Sequence, residues 1–182
     1  MTNTDKILVL GGCRSGKSSH ALNLAEGMGG RRIFVATCVP RDDEMKDRVD
    51  RHRRERDATW DTLEVPVDLA GTITAHSPST DVILVDCLTL WLSNLLMRTD
   101  DVDCIRRRID DLAEAVRSAP RNVILVSNEV GAGIVPENRL ARHYRDLAGW
   151  TNQAVAAACD RVVWTVAGIP VTIKPAFQAT AP

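Results

Sequence analysis

The sequence predicts a three-layer α/β fold whose sheet is mostly parallel, and two observations support this prediction. Five β-rich segments are continuously apolar rather than alternating, which is typical of strands that are covered on both faces. Helical patterns separate these segments, and such alternation favours a sheet with helices on both sides. The five segments are Lys6–Gly12, Arg32–Thr37, Asp81–Cys87, Asn122–Val130 and Arg161–Gly168.

The helices are predicted from the spacing of apolar residues. The clearest is Val102–Ala119, in which apolar side chains recur every three or four residues. Helices are also expected over Leu88–Met97 and Leu140–Ala158, and a highly charged one over Asp42–Asp57. A last strand, Val171–Lys174, follows the fifth segment after a short Gly-Ile-Pro turn. Because so short a link cannot form a parallel crossover, this strand should pair antiparallel at the end of the sheet.

Composition limits the classes of function. The chain has 182 residues, a length that suits a single domain over residues 1–182 with a loose tail at its last residues. Its formal net charge is −1. A nearly neutral chain has no overall field that attracts nucleic acid or an anionic membrane. No apolar run approaches the length of a membrane span and no leader is recognisable, so we expect a cytoplasmic protein. The five cysteines are widely spaced, which favours free thiols.

A phosphate-binding loop follows the first predicted strand. The motif G-x-x-x-x-G-K-[ST] is matched from Gly11 through Gly16 and Lys17 to Ser18. A strand precedes the motif and a helical pattern follows it, so backbone N–H groups and a helix N-terminus can surround phosphate oxygens. Lys17 is expected to reach the β- and γ-phosphates, and the Ser18 hydroxyl is expected to ligate Mg²⁺.

Asp86 follows the four apolar residues of the third segment, in the position of a Walker B carboxylate. Such a carboxylate points toward the Mg²⁺ shell, although an aspartate here can instead cap the helix that begins near Leu88. The phosphate loop upstream favours the metal role. The two features together predict binding of a nucleoside triphosphate and transfer of a phosphoryl group. No N-K-x-D element follows a strand, which argues against a common regulatory GTPase.

One histidine lies in the charged segment. Met45, Val49 and His52 fall on one helical face. Arginines surround that histidine: Arg48, Arg51, Arg53, Arg54 and Arg56. One interpretation is a solvated charged helix with an incidental histidine. In the other, the arginines gather phosphates and keep the imidazole neutral, so that it attacks phosphorus and forms a phosphoramidate.

Several stretches of the chain match one enzyme family. They are "LVLGGCRSGKS", "VAT", "DDEM", H-R-x-x-R from His52 to Arg56, W-x-T-x-E from Trp60 to Glu64, "VDCLTLWLSNLL" and, most distinctive, "SNEVGAGIVPENRLARHYRDLAGWTNQAVAA". On these motifs, from about Lys6 to Lys174, the chain resembles the bifunctional adenosylcobinamide kinase / adenosylcobinamide-phosphate guanylyltransferases of cobalamin biosynthesis.

The resemblance implies two reactions. In the first, ATP or GTP phosphorylates the terminal hydroxyl of adenosylcobinamide. In the second, GMP passes from GTP to adenosylcobinamide phosphate through a GMP–histidine, giving adenosylcobinamide-GDP and pyrophosphate. His52 occupies the position of that histidine, and Lys17 is the second catalytic residue. The resemblance further implies a RecA-like P-loop fold, Mg²⁺ bound with the nucleotide, and a homo-oligomer, commonly a trimer.

The resemblance also implies the binding residues. The nucleotide contacts are Gly11, Gly12, Cys13, Arg14, Ser15, Gly16, Lys17, Ser18, Ala36, Thr37, Cys38, Arg53, Arg54, Glu55, Arg56, Glu64 and Asp86, with Ser18 and Asp86 as the metal ligands. Glu64 can accept hydrogen bonds from guanine or ribose, or pair with an arginine. Asn128 and Glu129 end the fourth predicted strand, where substrate or metal contacts are expected.

The chain departs from the family pattern at two positions. Arg51 stands where some members carry a second histidine, and Asp57 stands where many carry proline. Four apolar residues of the predicted Leu88–Met97 helix suit either an oligomer interface or the core: Trp91, Leu92, Leu95 and Leu96. Two other functions stay open from the residues alone. One is a P-loop kinase for another small molecule, and the other is a RecA-type ATPase that binds a polymer, which the single tyrosine disfavours.

Overall fold

The computed structural model describes residues 4–39 and 59–175. The strands are β1 Lys6–Gly11, β2 Arg32–Ala36, β3 Trp60–Glu64, β4 Val82–Asp86, β5 Asn122–Asn128, β6 Arg161–Val166 and β7 Ile169–Lys174. The helices are α1 Lys17–Met28, α2 Leu69–His76, α3 Leu88–Leu96, α4 Val102–Ser118 and α5 Arg139–Ala158, with a short 3₁₀ turn at Ser77–Ser79. The predicted helix over Asp42–Asp57 lies outside the described residues.

The strands form one sheet in the order β3-β2-β4-β5-β1-β6-β7. All neighbouring strands are parallel except β6 and β7, which are antiparallel. The predicted mostly parallel sheet with an antiparallel edge is therefore confirmed. In the register, Gly11 is opposite Asn128 and Ala36 is opposite Asp86. The carboxyl ends of β1, β2, β4 and β5 consequently meet at one edge of the sheet.

The continuous apolar runs are explained by burial on both faces of the central strands. Along β1, Ile7 and Val9 belong to the cluster on the α1 side, whereas Leu8 between them belongs to the cluster packed by the helices α2 to α5. All three side chains are fully buried. Successive residues of a strand point to opposite faces, so a strand with a helix layer on each side needs apolar residues at every position.

Polar residues begin the two longest helices. The Asp101 carboxylate accepts hydrogen bonds from the N–H groups of Asp103 and Cys104 at the start of α4. Asn138 accepts one from Ala141 N at the start of α5. These caps satisfy helical N–H groups that have no partner within the helix.

Three elements differ from the sequence prediction, and one of them, the short helix α2, was not predicted. The edge strand β3 was also not predicted, because Trp60 is its only buried residue and its other side chains are exposed or half-buried. The strand β7 begins at Ile169 rather than Val171. Ala167 and Gly168 have φ angles of 51° and 81°, so these two residues form the tight turn of the β6–β7 hairpin.

The structure also decides the role of the apolar residues of α3. Trp91, Leu92 and Leu95 are buried in the core, and Leu96 packs against it. The indole N–H of Trp91 donates to Val67 O at 2.7 Å. These side chains therefore pack inside the subunit. Within the described ranges, no helix has the length and apolarity that crossing a membrane would require.

Candidate active site

The phosphate loop lies between β1 and α1 and curls back on itself. Ser15 N donates to Gly12 O at 3.3 Å, and the Lys17 ammonium donates to the same carbonyl at 3.1 Å. Arg14 and Gly16 both have positive φ angles, of 53° and 90°. The positive φ of Gly16, directly before α1, is a backbone conformation that glycine adopts without steric cost. The loop thus has the geometry that turns N–H groups inward around an anion.

The loop is tied to the sheet on two sides. Gly11 O accepts from Glu129 N at 3.1 Å, and Ser15 O accepts from Gly168 N, in the β6–β7 turn, at 3.0 Å. A Cβ added to Gly11 would lie 2.3 Å from Ser15 Oγ and 2.7 Å from Thr165 O. Real Cβ atoms do not make contacts this short. Glycine is therefore required at position 11 by the close approach of neighbouring atoms rather than by its dihedral angles.

Asp86 is held at the end of β4 by the neighbouring strand. Thr37 N donates to Asp86 O at 3.2 Å. The fully buried Thr37 hydroxyl donates to Cys87 O at 2.7 Å and accepts from Cys87 N at 2.8 Å. Asn94, on α3, donates to Thr37 O at 2.8 Å. We call the pair of hydrogen bonds between Thr37 and Cys87 the Thr37–Cys87 clip. It fixes the backbone that carries the Asp86 carboxylate.

Opposite charges act on the buried Cys87 thiol. Burial raises its pKa, and the Asp86 carboxylate raises it further, whereas hydrogen bonds to Thr89 and Leu90 and the Lys17 ammonium act in the opposite direction. Lys17 and Asp86 therefore both lie within electrostatic reach of the same thiol. A thiol with a raised pKa stays protonated near neutral pH, so burial disfavours the reactive thiolate form of Cys87.

A polar network lines the end of β5. Asn128 donates through its side chain to Thr89 Oγ1 at 2.9 Å, and Asn152 on α5 donates to Asn128 O at 3.2 Å. The Ser127 hydroxyl donates to Asn152 Oδ1 at 2.7 Å. Tyr144 donates to Thr89 O at 3.0 Å, and burial, reinforced by Cys87, raises the pKa of its hydroxyl to about 12. Sequence reasoning missed this network. Its one local signal is that the polar residues Thr151 and Asn152 fall within the buried stripe of α5.

The structure brings together the described part of the predicted site. Glu64 is opposite Ala36 on the neighbouring strand, and Ala36 is in turn opposite Asp86. These three residues therefore end three adjacent strands, at the edge where the phosphate loop begins. Glu64 is exposed, Cys38 is half-buried, and the Thr37 hydroxyl is directed to Cys87. The remaining predicted residues, His52, Arg53, Arg54, Glu55 and Arg56, lie outside the described residues.

The oxygen donors at this edge fit a magnesium ion. The Ser18 hydroxyl at the start of α1 and the Asp86 carboxylate are both half-buried, and such hard oxygen ligands are those that Mg²⁺ prefers. Among the described residues, no group of three or more histidine, cysteine or acidic side chains is arranged so that it could hold a metal ion by itself. A magnesium ion here would accordingly take most of its ligands from phosphate and water, as is usual for this ion.

The sheet and the loop define a class of protein. A parallel α/β sheet with a phosphate loop after β1 and an aspartate at the end of β4 is the architecture of a P-loop nucleotide-binding protein. The fold is similar to that of a KaiC-like protein, PH0186, from Pyrococcus horikoshii, with a TM-score of 0.50 at 14% identity over 88% of this chain and 70% of that one. This likeness shows the RecA-like fold.

The particular family follows from sequence comparison. A family model described as cobinamide kinase / cobinamide phosphate guanyltransferase matches residues 7–173, and the chain belongs to this family. The bifunctional adenosylcobalamin biosynthesis protein CobP of Pseudomonas aeruginosa is 46% identical over 92% of this chain and 96% of its own. The proteins of the same description named CobU, from Salmonella typhimurium and Escherichia coli, are 46% and 43% identical over 92% of this chain and 99% of their own.

Proposed function

We propose that this chain catalyses two successive reactions on a corrinoid. It phosphorylates the terminal hydroxyl of adenosylcobinamide with ATP or GTP, and it then transfers GMP from GTP to the new phosphate, releasing pyrophosphate. The family match over residues 7–173 carries this proposal. It favours the bifunctional enzyme over the other small-molecule kinase and the polymer-binding ATPase.

The phosphate loop supplies the machinery of the first reaction. Its inward N–H groups bind phosphate oxygens, and Lys17 stabilises the charge on the β- and γ-phosphates. Ser18 and Asp86 would hold Mg²⁺, which when bound neutralises negative charge on the phosphate oxygens. The corrinoid hydroxyl then attacks the γ-phosphorus, and the nucleoside diphosphate leaves. The Thr37–Cys87 clip supports this role of Asp86, because it fixes the backbone from which the carboxylate projects.

His52 is the proposed nucleophile of the second reaction. A neutral imidazole nitrogen forms a bond to the α-phosphorus of GTP, and the bond from that phosphorus to the pyrophosphate oxygen breaks. A phosphate oxygen of adenosylcobinamide phosphate then attacks the same phosphorus and releases the histidine. The three arginines that follow His52 and precede Asp57 would offset the phosphate charge. Glu64 would contact the nucleoside.

We further propose that the chain acts as one cytoplasmic nucleotide-binding domain that assembles into a homotrimer. The support for assembly is an exposed apolar face on the β6–β7 hairpin. It comprises Trp164, Val166, Ile169, Val171 and Ile173, each between 43% and 65% exposed. These side chains share one face, because Trp164 pairs with Val171 and Val166 pairs with Ile169. Light scattering of the purified protein measures the number of chains directly.

A labelling experiment tests the covalent step. The protein is incubated with Mg²⁺ and GTP radiolabelled at the α-phosphate, beside His52→Ala and the matched control His76→Ala. We expect acid-labile label on the parent and on the control, and none on His52→Ala. Absence of label from all three proteins would contradict the covalent transfer, and label on His52→Ala would show that another residue is the nucleophile.

A second assay tests the kinase step. Adenosylcobinamide is incubated with ATP radiolabelled at the γ-phosphate, and the labelled corrinoid is counted. The parent protein should form adenosylcobinamide phosphate, whereas Lys17→Ala should lose most of that activity because the β- and γ-phosphates lose their cation. A parent protein that labels His52 but not the corrinoid would retain only the second reaction.

A further inference from the structure

The loop between β5 and α5, residues 129–138, begins directly against the phosphate loop. Glu129 N, its first donor, bonds to Gly11 O at 3.1 Å. Asn128, which precedes it, is opposite Gly11 in the sheet register. Any acceptor whose hydroxyl attacks the terminal phosphate has to approach this edge of the sheet. The β5–α5 loop is therefore in a position to contact the acceptor as well as to border the nucleotide.

The β5–α5 loop is held through its backbone. The Arg145 guanidinium donates to Gly131 O. Arg142 donates to Pro136 O at 3.1 Å and to Glu137 O at 2.5 Å, and the Glu129 carboxylate accepts from Gly131 N at 2.5 Å. Two arginines of α5 thus fix the loop by its carbonyl groups. None of these bonds uses the side chains at the tip of the loop.

The tip of the loop exposes apolar side chains. Ile134 is 96% exposed and the adjacent Val135 is 63% exposed, and Leu140, in the first turn of α5, is also 63% exposed. Single exposed apolar residues are ordinary, but consecutive ones in a loop that begins at a binding site indicate a contact surface. Two side chains are too few for the area that a stable protein–protein interface buries. The area of these two side chains suits contact with a small-molecule ligand instead.

From this position and exposure, we infer that the β5–α5 loop is the docking surface for the corrin ring, with Ile134 and Val135 packed against its apolar face. This inference rests on the proposed function. The nucleotide phosphates are bound by polar groups of the phosphate loop, and the proposed nucleoside contact, Glu64, ends β3, three strands away from β5. The corrinoid is a large macrocycle with apolar faces, and only its hydroxyl arm has to enter the phosphate site. The loop would hold the ring outside the site while the arm reaches the γ-phosphorus.

The test uses the double variant Ile134→Ser/Val135→Ser and the matched control Met97→Ser, a 59% exposed apolar residue that follows α3. Equilibrium dialysis of adenosylcobinamide, followed by its visible absorbance, gives the Kd. Steady-state phosphorylation gives KM. For the double variant we expect both constants to rise about tenfold or more, since apolar contacts to the ring are lost. Labelling by α-labelled GTP, and the GTP concentration that half-saturates this labelling, need no corrinoid and should equal those of the parent and of Met97→Ser.

The outcomes separate this inference from the proposed function. If the parent binds and phosphorylates adenosylcobinamide but the double variant does so within about twofold of the parent, the loop is not the docking surface. If light scattering shows that the double variant changes its number of chains, the tip is a contact between copies and the inference is wrong. If the parent neither binds nor phosphorylates adenosylcobinamide, the proposed kinase function fails, and the corrinoid assignment of the loop fails with it.

Discussion

Replacing Thr37 by valine should destabilise the protein more than replacing it by serine. Valine preserves the shape of threonine but removes the hydroxyl, whereas serine keeps the hydroxyl and removes the methyl group. In the native protein the Thr37 hydroxyl is the partner of both Cys87 N, at 2.8 Å, and Cys87 O, at 2.7 Å. Thr37 is fully buried, and Cys87 is 7% exposed. No water can readily replace the lost partner.

The magnitude follows from what each variant leaves unpaired. In Thr37→Val, Cys87 N loses its only hydrogen-bond acceptor in the described part of the chain, which costs about 1–3 kcal/mol for a buried donor. Cys87 O still accepts from Trp91 N at 3.1 Å, so the loss there is about 0.5–1.5 kcal/mol. The expected total is about 1.5–4.5 kcal/mol. Thr37→Ser loses one buried methyl group, about 1 kcal/mol.

Urea denaturation followed by circular dichroism measures both losses, provided that the transition slopes of the variants match that of the parent. A second readout is the Mg²⁺ concentration that half-saturates the kinase reaction. It should rise more in Thr37→Val than in Thr37→Ser, because Asp86 immediately precedes Cys87. The reasoning is refuted if valine costs no more stability than serine, since the hydroxyl would then contribute nothing to holding the end of β4.

Three further predictions follow from single groups. Burial raises the pKa of the Cys159 thiol from 9.0 to about 12. Between these two pH values the folded state therefore binds more protons than the unfolded state, so the free energy of unfolding should fall as pH rises above 9, by up to about 4 kcal/mol at pH 12. The fall should be less steep in Cys159→Ala. Gly11→Ala places Cβ 2.3 Å from Ser15 Oγ and should weaken GTP binding, measured by calorimetry, by more than about tenfold. The control Gly27→Ala has open space within α1 and should not weaken it. Lys174→Met removes an ammonium that donates to Cys159 O at 2.6 Å and should lower the unfolding free energy by about 1–3 kcal/mol in urea titrations.

Four of the strands that the sequence predicted, β1, β2, β4 and β5, are buried on both faces, whereas β6 exposes Trp164 and Val166 and the edge strand β7 was predicted from its short link to β6. β1, β2, β4, β5 and β6 lie inside the sheet and carry continuous apolar runs. The edge strand β3 has one neighbour, β2, and one buried residue, Trp60. Its formation depends on pairing with β2, which no local pattern encodes. The short helix α2 was missed for a related reason, because eight residues are too few for a clear helical period.

The candidate active site likewise consists of a part encoded locally in the sequence and a part that depends on long-range contacts. The phosphate loop is a continuous motif, so its position could be predicted from neighbouring residues. The Thr37–Cys87 clip joins residues 50 positions apart, and Asn128 meets Thr89 across 39 positions. Such contacts exist only in one strand register. A shift of one residue between β2 and β4 would turn Asp86 to the opposite face of the sheet and would separate Thr37 from Cys87. The two hydrogen bonds of the Thr37–Cys87 clip form only in the strand register that sets Asp86 beside the phosphate loop. They therefore favour that register over registers shifted by one residue. A side chain that contributes to stability therefore also selects the alignment on which the candidate metal site depends.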